Sequence, residues 1–242
     1  MNFSSLWPTA LAVLLLAAGM GYALRAGKLT GPAVAVGGGV GLLIYLGAGF
    51  AGLAQLALFF GLGTAASAWR VSEKQRLGLA EANKGRRRAG QVLANAGVAG
   101  LLGLLSWQLP AFAPLGQLML AGSFAATTAD TLASELGNVY GRRYYNVWTW
   151  RPDERGLNGV VSLEGTLLGA ADSALLAAAY CLGSNWGPAF WWLLVAGTAG
   201  NLGDSLLGAT LERRQWLSND GVNSLTTLVG ALTAAGLHQL LG

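Results

Sequence analysis

The stretch Thr127-Thr128-Ala129-Asp130-Thr131-Leu132-Ala133-Ser134-Glu135-Leu136-Gly137 places two carboxylates at the end of a segment that otherwise has the composition of a membrane-spanning helix. An ionisable group at this depth is costly, so it needs a partner, water or a ligand. A second apolar segment ends in a similar way, at Gly203-Asp204-Ser205-Leu206-Leu207-Gly208. The sequence therefore predicts a membrane scaffold that brings these acids together.

The composition of the chain excludes an ordinary soluble enzyme. Of the 242 residues, 53% are hydrophobic and only 11% are charged, whereas soluble domains carry about 25% charged residues. The 37 glycines are typical of closely packed transmembrane helices, in which small residues let backbones approach. We predict an all-α, polytopic membrane protein in which residues 1–242 form a single transmembrane domain.

Apolar windows of about twenty residues predict eight transmembrane helices. Their ranges are about 6–24, 29–47, 50–69, 91–109, 114–134, 165–183, 187–209 and 221–240. The apolar stretch 29–69 is too long for one span, and Gly47-Ala48-Gly49 is the natural turn within it.

The basic residues support the count of eight helices. All 15 Lys and Arg residues fall in alternate loops, after the first, third, fifth and seventh helices. By the positive-inside rule these loops are cytoplasmic, and both termini lie outside. Two of the loops are long, at about 70–90 and about 138–164.

The first long loop contains Asn83-Lys84-Gly85-Arg86-Arg87-Arg88. This run is either a topology determinant that touches anionic lipid or a site for phosphate, because Arg forks match phosphate oxygens. No signature of a nucleic-acid-binding fold accompanies the charge, so nucleic acid is not an expected partner.

The C-terminal half contains a short internal similarity. Residues 129–132 align with 203–206, and residues 159–163 align with 221–225. A parallel repeat of a helix pair would place Asp130 and Asp204 at equivalent depths, around an axis along the membrane normal. Chance or convergent small-residue packing explains so short a match equally well.

Helical spacing separates the acids by face. Asp204 belongs to a stripe of small residues that recurs every four positions, which predicts that its side chain faces protein: Ala196, Gly200, Asp204 and Gly208. Asp130 and Ser134 share a face, whereas Glu135 is rotated away and reaches the same site only where the helix ends. Asp172 lies further inside the sixth helix. It is either a buried partner of the site or a residue that holds neighbouring helices together.

The acids and amides at the cytoplasmic helix ends are hard oxygen donors, as in sites where Mg²⁺ is held by one or two carboxylates and substrate phosphates. Phosphoryl transfer requires mainly positioning and neutralisation of charge by a metal and by Lys or Arg. The chain contains no GxxxxGK[ST] run, so the nucleotide cradle is not a P-loop.

Four motifs occur together in a fixed order: residues 90–95 (GQVLAN), 129–137 (ADTLASELG), 203–210 (GDSLLGAT) and 218–223 (SNDGVN). They resemble the integral membrane family that contains transmembrane protein 19 and the phytyl-phosphate kinase of plants and cyanobacteria. The resemblance covers roughly residues 25–240. The Asp-x-x-Ala-Ser element is also similar to one in dolichol kinase and phytol kinase, which use CTP.

The resemblance implies transfer of a phosphoryl group from a nucleoside triphosphate, with CTP the expected donor, to an isoprenyl monophosphate at the cytoplasmic membrane surface. It assigns the catalytic and Mg²⁺-binding roles to four acids: Asp130, Glu135, Asp204 and Asp220. Other motif positions are implied to bind nucleotide or lipid phosphate: Lys84, Arg86, Arg87, Gln91, Asn95, Ser134, Asn158, Ser162, Ser205, Asn219 and Asn223. One loop departs from the family's Asn-Gly-Gly-Val-Ser pattern, since it has Val160 in place of the second glycine and is followed by Glu164.

Other functions remain open from the sequence. Repeats, glycines and intramembrane acids also describe a transporter or flippase of a small solute or lipid phosphate. A related CTP-dependent cytidylyltransferase would release pyrophosphate in place of a nucleoside diphosphate. A membrane scaffold without activity leaves the acids unexplained. The sequence also leaves open which isoprenyl phosphate is used and whether the chain forms a homo-oligomer.

Overall fold

Long α-helices make up most of the protein. The computed structural model describes residues 3–80, 82–184 and 186–242. The helices are α1 (Phe3–Arg25), α2 (Gly31–Ala68), α3 (Val71–Arg76), α4 (Ala89–Gln108), α5 (Ala113–Tyr140), α6 (Leu163–Leu182), α7 (Pro188–Leu207) and α8 (Asn219–Leu241). Two short strands, β1 (Tyr145–Asn146) and β2 (Val160–Val161), pair antiparallel in the loop before α6. The prediction of an all-α polytopic membrane protein is confirmed.

The helix α2 is two helices joined at Gly49. Its 38 residues would extend about 57 Å if straight, nearly twice the hydrocarbon thickness of a bilayer. Gly49 has φ 58° and ψ −148°, a backbone conformation that residues with a Cβ rarely adopt. The chain turns back here, because Phe60 packs beside Ala33 and Val34. The turn predicted within Gly47-Ala48-Gly49 is therefore at its third residue.

Five helical segments of the described chain are long and apolar enough to cross a membrane: Trp7–Arg25, Gly31–Ala68, Ala89–Gln108, Leu163–Leu182 and Asn219–Leu241. The folded-back α2 would supply two spans, and α5 and α7 would bring the number to the predicted eight. Each of these last two helices carries a motif acid, Asp130 in α5 and Asp204 in α7. The count of eight spans stays a prediction.

The helix α5 lies at the centre of the bundle and packs against α2, α4, α6, α7 and α8. Its residues 120–129 are all buried, and the Phe124 ring stacks on that of Phe59 at 5.5 Å. A helix surrounded by protein does not need a lipid-facing surface. This position explains how polar residues of α5 are accommodated at membrane depth.

The basic loops meet at one end of the bundle, called here the basic end. The amide of Thr30 donates to the carbonyl of Arg87 at 3.0 Å, and Trp69 Nε1 donates to the Tyr140 hydroxyl at 2.8 Å. The loops without basic residues meet at the other end, where Gln117 Nε2 donates to the carbonyl of Gly47 at 2.9 Å. The structure thus agrees with the alternation of basic loops in the sequence. Their cytoplasmic side stays a prediction.

The two blocks of the predicted repeat differ in structure. The first block places Asp130 in α5 and Asp204 in α7, where they face each other. The aligned residues of the second block lie in different kinds of structure: Gly159 is a loop residue at φ +74°, whereas Gly221 lies inside α8. Only the first block therefore aligns a helix with a helix, α5 with α7.

Candidate functional site

A polar cavity of about 180 Å³ lies at the basic end, between α5, α6, α7 and the first turns of α8. The loop before α6 covers it through residues 156–162. The cavity combines carboxylates, amides and hydroxyls in a protein that is otherwise largely apolar. This concentration of polar groups is the strongest candidate for the functional site.

Two carboxylates face each other in the polar cavity. The side chains of Asp130 and Asp204 approach to hydrogen-bonding range from α5 and α7. Asp204 Oδ2 also accepts a hydrogen bond of 2.8 Å from Thr226 Oγ1 of α8. Two carboxylates at this range repel unless a proton or a cation lies between them. The pair is therefore built to share a positive charge.

Glu212 is a third acid of the cavity that the sequence interpretation missed. It ends the π-helical turn Gly208–Glu212, which continues beyond α7. Burial and the nearby Asp204 raise the pKa of Glu212, while the side chains of Asn219 and Asn158 oppose this effect. The four-residue stripe that contains Asp204 would have identified Glu212 if it had been continued one step past Gly208.

Eight of the predicted site residues line the polar cavity: Asp130, Ser134, Asn158, Ser162, Asp204, Ser205, Asn219 and Asn223. The cavity also contains Asn201, one of the amides expected to be an oxygen donor, and polar residues that were not predicted: Asn138, Tyr144, Thr166 and Glu212. Amide and hydroxyl oxygens next to carboxylates suit a hard cation or a phosphate held through one.

Ser162 and Arg213 hold the covering loop in place. Ser162 begins α6 by accepting a hydrogen bond from the amide of Gly165 at 3.1 Å. Arg213 Nε donates to the carbonyl of Asn158 at 2.6 Å, and its Nη2 donates to Asp153 Oδ2 at 2.8 Å. The loop is thereby tied to the end of α7.

The ion pair of Asp153 with Arg213 predicts a pH dependence of stability. The backbone amide of Glu154, Arg213 and Asn146 lower the pKa of Asp153 from its ordinary value of 3.8. Because the folded-state pKa is lowered, the stabilisation is present above pH 3.8 and is lost as pH falls through the folded value. Wild type should melt at a higher temperature than Asp153→Asn at pH 7, and the two should converge in acid. A difference that persists or grows below pH 3 would contradict this assignment.

Glu135 does not reach the polar cavity. The helix α5 continues to Tyr140, so the predicted helix end that would have brought Glu135 to Asp130 does not occur. The Glu135 carboxylate instead forms a buried ion pair with Lys74 of α3. Lys74 Nζ also donates to the carbonyls of Ala66 and Ser67 at the end of α2, at 2.9 and 3.0 Å.

Asp220 also lies apart from the other acids. It faces α4, since a Cβ added at Gly90 would lie 2.8 Å from Asp220 Oδ2. Arg86 Nε donates to the carbonyl of Leu29 at 3.2 Å and so ties two basic loops together. The side chain of Lys84 lies outside the described part of the chain. The four predicted acids therefore do not form one cluster.

Three further predicted residues, Arg87, Gln91 and Asn95, line a second cavity. This apolar cavity of about 500 Å³ lies between α1, both halves of α2 and α4. The Arg87 guanidinium lies over the Phe59 ring at 5.7 Å. Asn95 Oδ1 accepts a hydrogen bond of 2.6 Å from Thr127 of α5. All three residues are at or near the basic end of α4.

The described residues contain no group of three His, Cys, Asp or Glu side chains that could hold a metal ion. A site with two carboxylates fits Mg²⁺ nevertheless, because this ion is commonly held by one or two carboxylates together with substrate phosphates and water. Asp130 and Asp204 are the residues in position to hold it. Glu135 is not, because Lys74 occupies its carboxylate.

The fold and the cavity define a class: integral membrane proteins with a pair of acids on two helices that pack together. The sequence profile of the family described as integral membrane protein DUF92 matches residues 12–231. The chain belongs to this family. No solved structure matches it.

Relatives come from plants, bacteria and archaea. The chain is 33% identical to the chloroplastic protein VTE6 of Arabidopsis thaliana, over 98% of this chain and 74% of that protein. It is 35% identical to an uncharacterized membrane protein of Synechocystis, over 82% of this chain and 78% of the other. An uncharacterized membrane protein of Methanocaldococcus jannaschii is 31% identical, over 84% of this chain and 82% of its own length.

Proposed function

We propose that this protein is a membrane-embedded isoprenyl-phosphate kinase. It transfers a phosphoryl group from a nucleoside triphosphate, with CTP the expected donor, to an isoprenyl monophosphate, giving the diphosphate. The observation that carries the proposal is the pair of Asp130 and Asp204 in a polar cavity at the basic end. Membership of the family that the motifs indicated is its second support.

The residues of the polar cavity suit the nucleotide phosphates. Asp130 and Asp204 would hold Mg²⁺, which when bound supplies neutralisation of charge on phosphate oxygens. The hydroxyls of Ser134, Ser162 and Ser205 line the same cavity and can donate hydrogen bonds to phosphate. The loop before α6 lines the same space through residues 156–162.

The acceptor needs little activation. An isoprenyl monophosphate already carries anionic oxygens, so its attack on the nucleotide does not require a strong general base. Phosphoryl transfer then depends on alignment and on stabilisation of charge. This requirement agrees with a cavity that contains acids, amides and hydroxyls and no histidine among its lining residues.

The direct test is an assay of the purified full chain in detergent. Phytyl phosphate or geranylgeranyl phosphate is incubated with Mg²⁺ and each nucleoside triphosphate in turn. A kinase produces the lipid diphosphate and a nucleoside diphosphate. Release of pyrophosphate with a nucleotide-linked lipid would identify a cytidylyltransferase instead. Absence of turnover with every isoprenyl phosphate would overturn the proposal.

A transporter is the second candidate, and Asp172 favours it. This residue of α6 is 3% exposed, and neither of its carboxylate oxygens has a hydrogen-bond partner among the described residues. Buried acids inside a membrane bundle commonly mark proton or ion pathways. Uptake of a lipid phosphate or solute into liposomes without nucleotide, with loss of uptake in Asp172→Asn, would support this function over the kinase.

A further inference from the structure

The apolar cavity between α1, α2 and α4 has one polar end. Most of its lining is aliphatic or aromatic, from Leu15 and Leu16 on α1 to Phe50 and Leu53 on α2. The polar lining residues of α4 and the loop before it are Arg87, Gln91 and Asn95. A cavity with this distribution matches an amphiphile that has an apolar chain and an anionic head.

The length of the cavity can be estimated along α2. A Cβ added at Gly63 would lie 2.8 Å from Arg87 Nη2, so Gly63 marks the level of the guanidinium. Phe50 lines the cavity next to the turn at Gly49, at the opposite end of the bundle. The thirteen-residue separation of Gly63 and Phe50 corresponds to about 20 Å of helix. The cavity therefore follows most of the depth of the membrane.

The polar end of the apolar cavity lies close to α5, which also lines the polar cavity. The Cβ position at Gly63 that is close to Arg87 is also 3.6 Å from Thr131 Cγ2. Thr131 directly follows Asp130, which lines the polar cavity. A phosphate at Arg87 would thus be at about the same depth as the acid pair.

We infer that the apolar cavity holds the isoprenyl chain of the acceptor and sets its maximum length, with the lipid phosphate at Arg87. This inference rests on the proposed function, which supplies the lipid class. A volume of about 500 Å³ is in the range that encloses one drug-sized ligand. It is too small for the two long acyl chains of a bilayer phospholipid, which favours a single-chain lipid.

Gly19 offers a way to shorten the cavity. It lines the cavity, and a Cβ added to it meets no atom within 4 Å. It lies six residues before Arg25, roughly 9 Å from the basic end. A Phe side chain at this position would fill the part of the cavity that a long isoprenyl chain reaches and a short one does not. Gly21 is the matched control, since it also has open space and lies in α1 but does not line the cavity.

The test measures lipid binding to the full chain in detergent by calorimetry, without nucleotide. Gly19→Phe should weaken binding of geranylgeranyl phosphate by about tenfold or more, because loss of two buried methylenes already has this effect. Binding of geranyl phosphate should change little, and Gly21→Phe should leave both lipids unaffected. Arg87→Gln should weaken binding of geranylgeranyl phosphate and of geranyl phosphate by a similar factor. It should not change binding of geranylgeraniol, which has no phosphate.

Two results would overturn the inference. One is an equal effect of Gly19→Phe and Gly21→Phe on both lipids. The other is binding of phosphatidate as tight as that of geranylgeranyl phosphate, which would identify a bilayer phospholipid site. The proposed function fails separately: chain-length-dependent binding without phosphoryl transfer refutes the kinase and leaves the lipid cavity. Transfer that is insensitive to Gly19→Phe refutes the cavity and leaves the kinase.

Discussion

Asp130→Asn and Asp204→Asn are each expected to lower the rate of lipid-diphosphate formation by about 100-fold or more, the effect of removing one preorganised electrostatic group from an active site. Either change keeps the shape of the side chain and removes one of two facing charges. The remaining carboxylate can still contact a cation, so the concentration of Mg²⁺ needed for half-maximal rate should rise. The measurement is the initial rate with CTP and phytyl phosphate over a range of Mg²⁺ concentrations.

The controls separate catalysis from folding. Asp172→Asn makes the same chemical change at a buried acid of α6 that lines neither cavity, and its activity should stay within about twofold of wild type. Thr226→Val removes one hydrogen bond to Asp204, so its loss of rate should be smaller than that of Asp204→Asn. Asp130→Asn and Asp204→Asn should melt no lower than wild type, because each relieves repulsion between the two facing carboxylates. If Asp130→Asn forms lipid diphosphate at the wild-type rate, the acid pair has no part in the reaction.

The membrane architecture was accessible from the sequence because it depends on patterns along the chain. Apolar windows and the alternation of basic loops predicted the helices, and Gly49 gives the turn within α2. The stripe of small residues correctly predicted that Asp204 faces protein, since Gly200 packs against Ala126 and Asp204 contacts Thr226. Each of these features is encoded by residues close together in sequence.

The composition of the site was less accessible because it depends on partners that are distant in sequence. Lys74 precedes Glu135 by 61 positions, so nothing in the spacing indicates that it occupies that carboxylate. Asp220 follows Asn219 directly, but one residue turns a side chain by about 100° on a helix, from the polar cavity towards α4. Motif membership alone therefore grouped residues that the structure divides between two cavities and an ion pair.

Lys74→Met is expected to lower the free energy of unfolding by about 3–5 kcal/mol, as when one partner of a buried ion pair is removed. Lys74 is 1% exposed and Glu135 is 9% exposed, so the remaining carboxylate would be left buried without its cation. The same change removes the side-chain donor to the carbonyls of Ala66 and Ser67 in the last turn of α2. Unfolding of the detergent-solubilised protein, by heat or by titration with a denaturing detergent, measures the loss.

The double variant Lys74→Met with Glu135→Leu distinguishes structure from catalysis. Replacing both charges with apolar side chains should recover most of the lost stability, because no unpaired ion remains and apolar replacements of buried pairs are often neutral. If Glu135 serves only the ion pair, the double variant also keeps kinase activity with an unchanged requirement for Mg²⁺. If Glu135 holds Mg²⁺ or nucleotide, the double variant is stable but inactive, and a rearrangement must bring Glu135 from Lys74 to the polar cavity during the reaction. Stability and rate measured on the same preparation therefore decide whether the motif glutamate acts in the fold or in the chemistry.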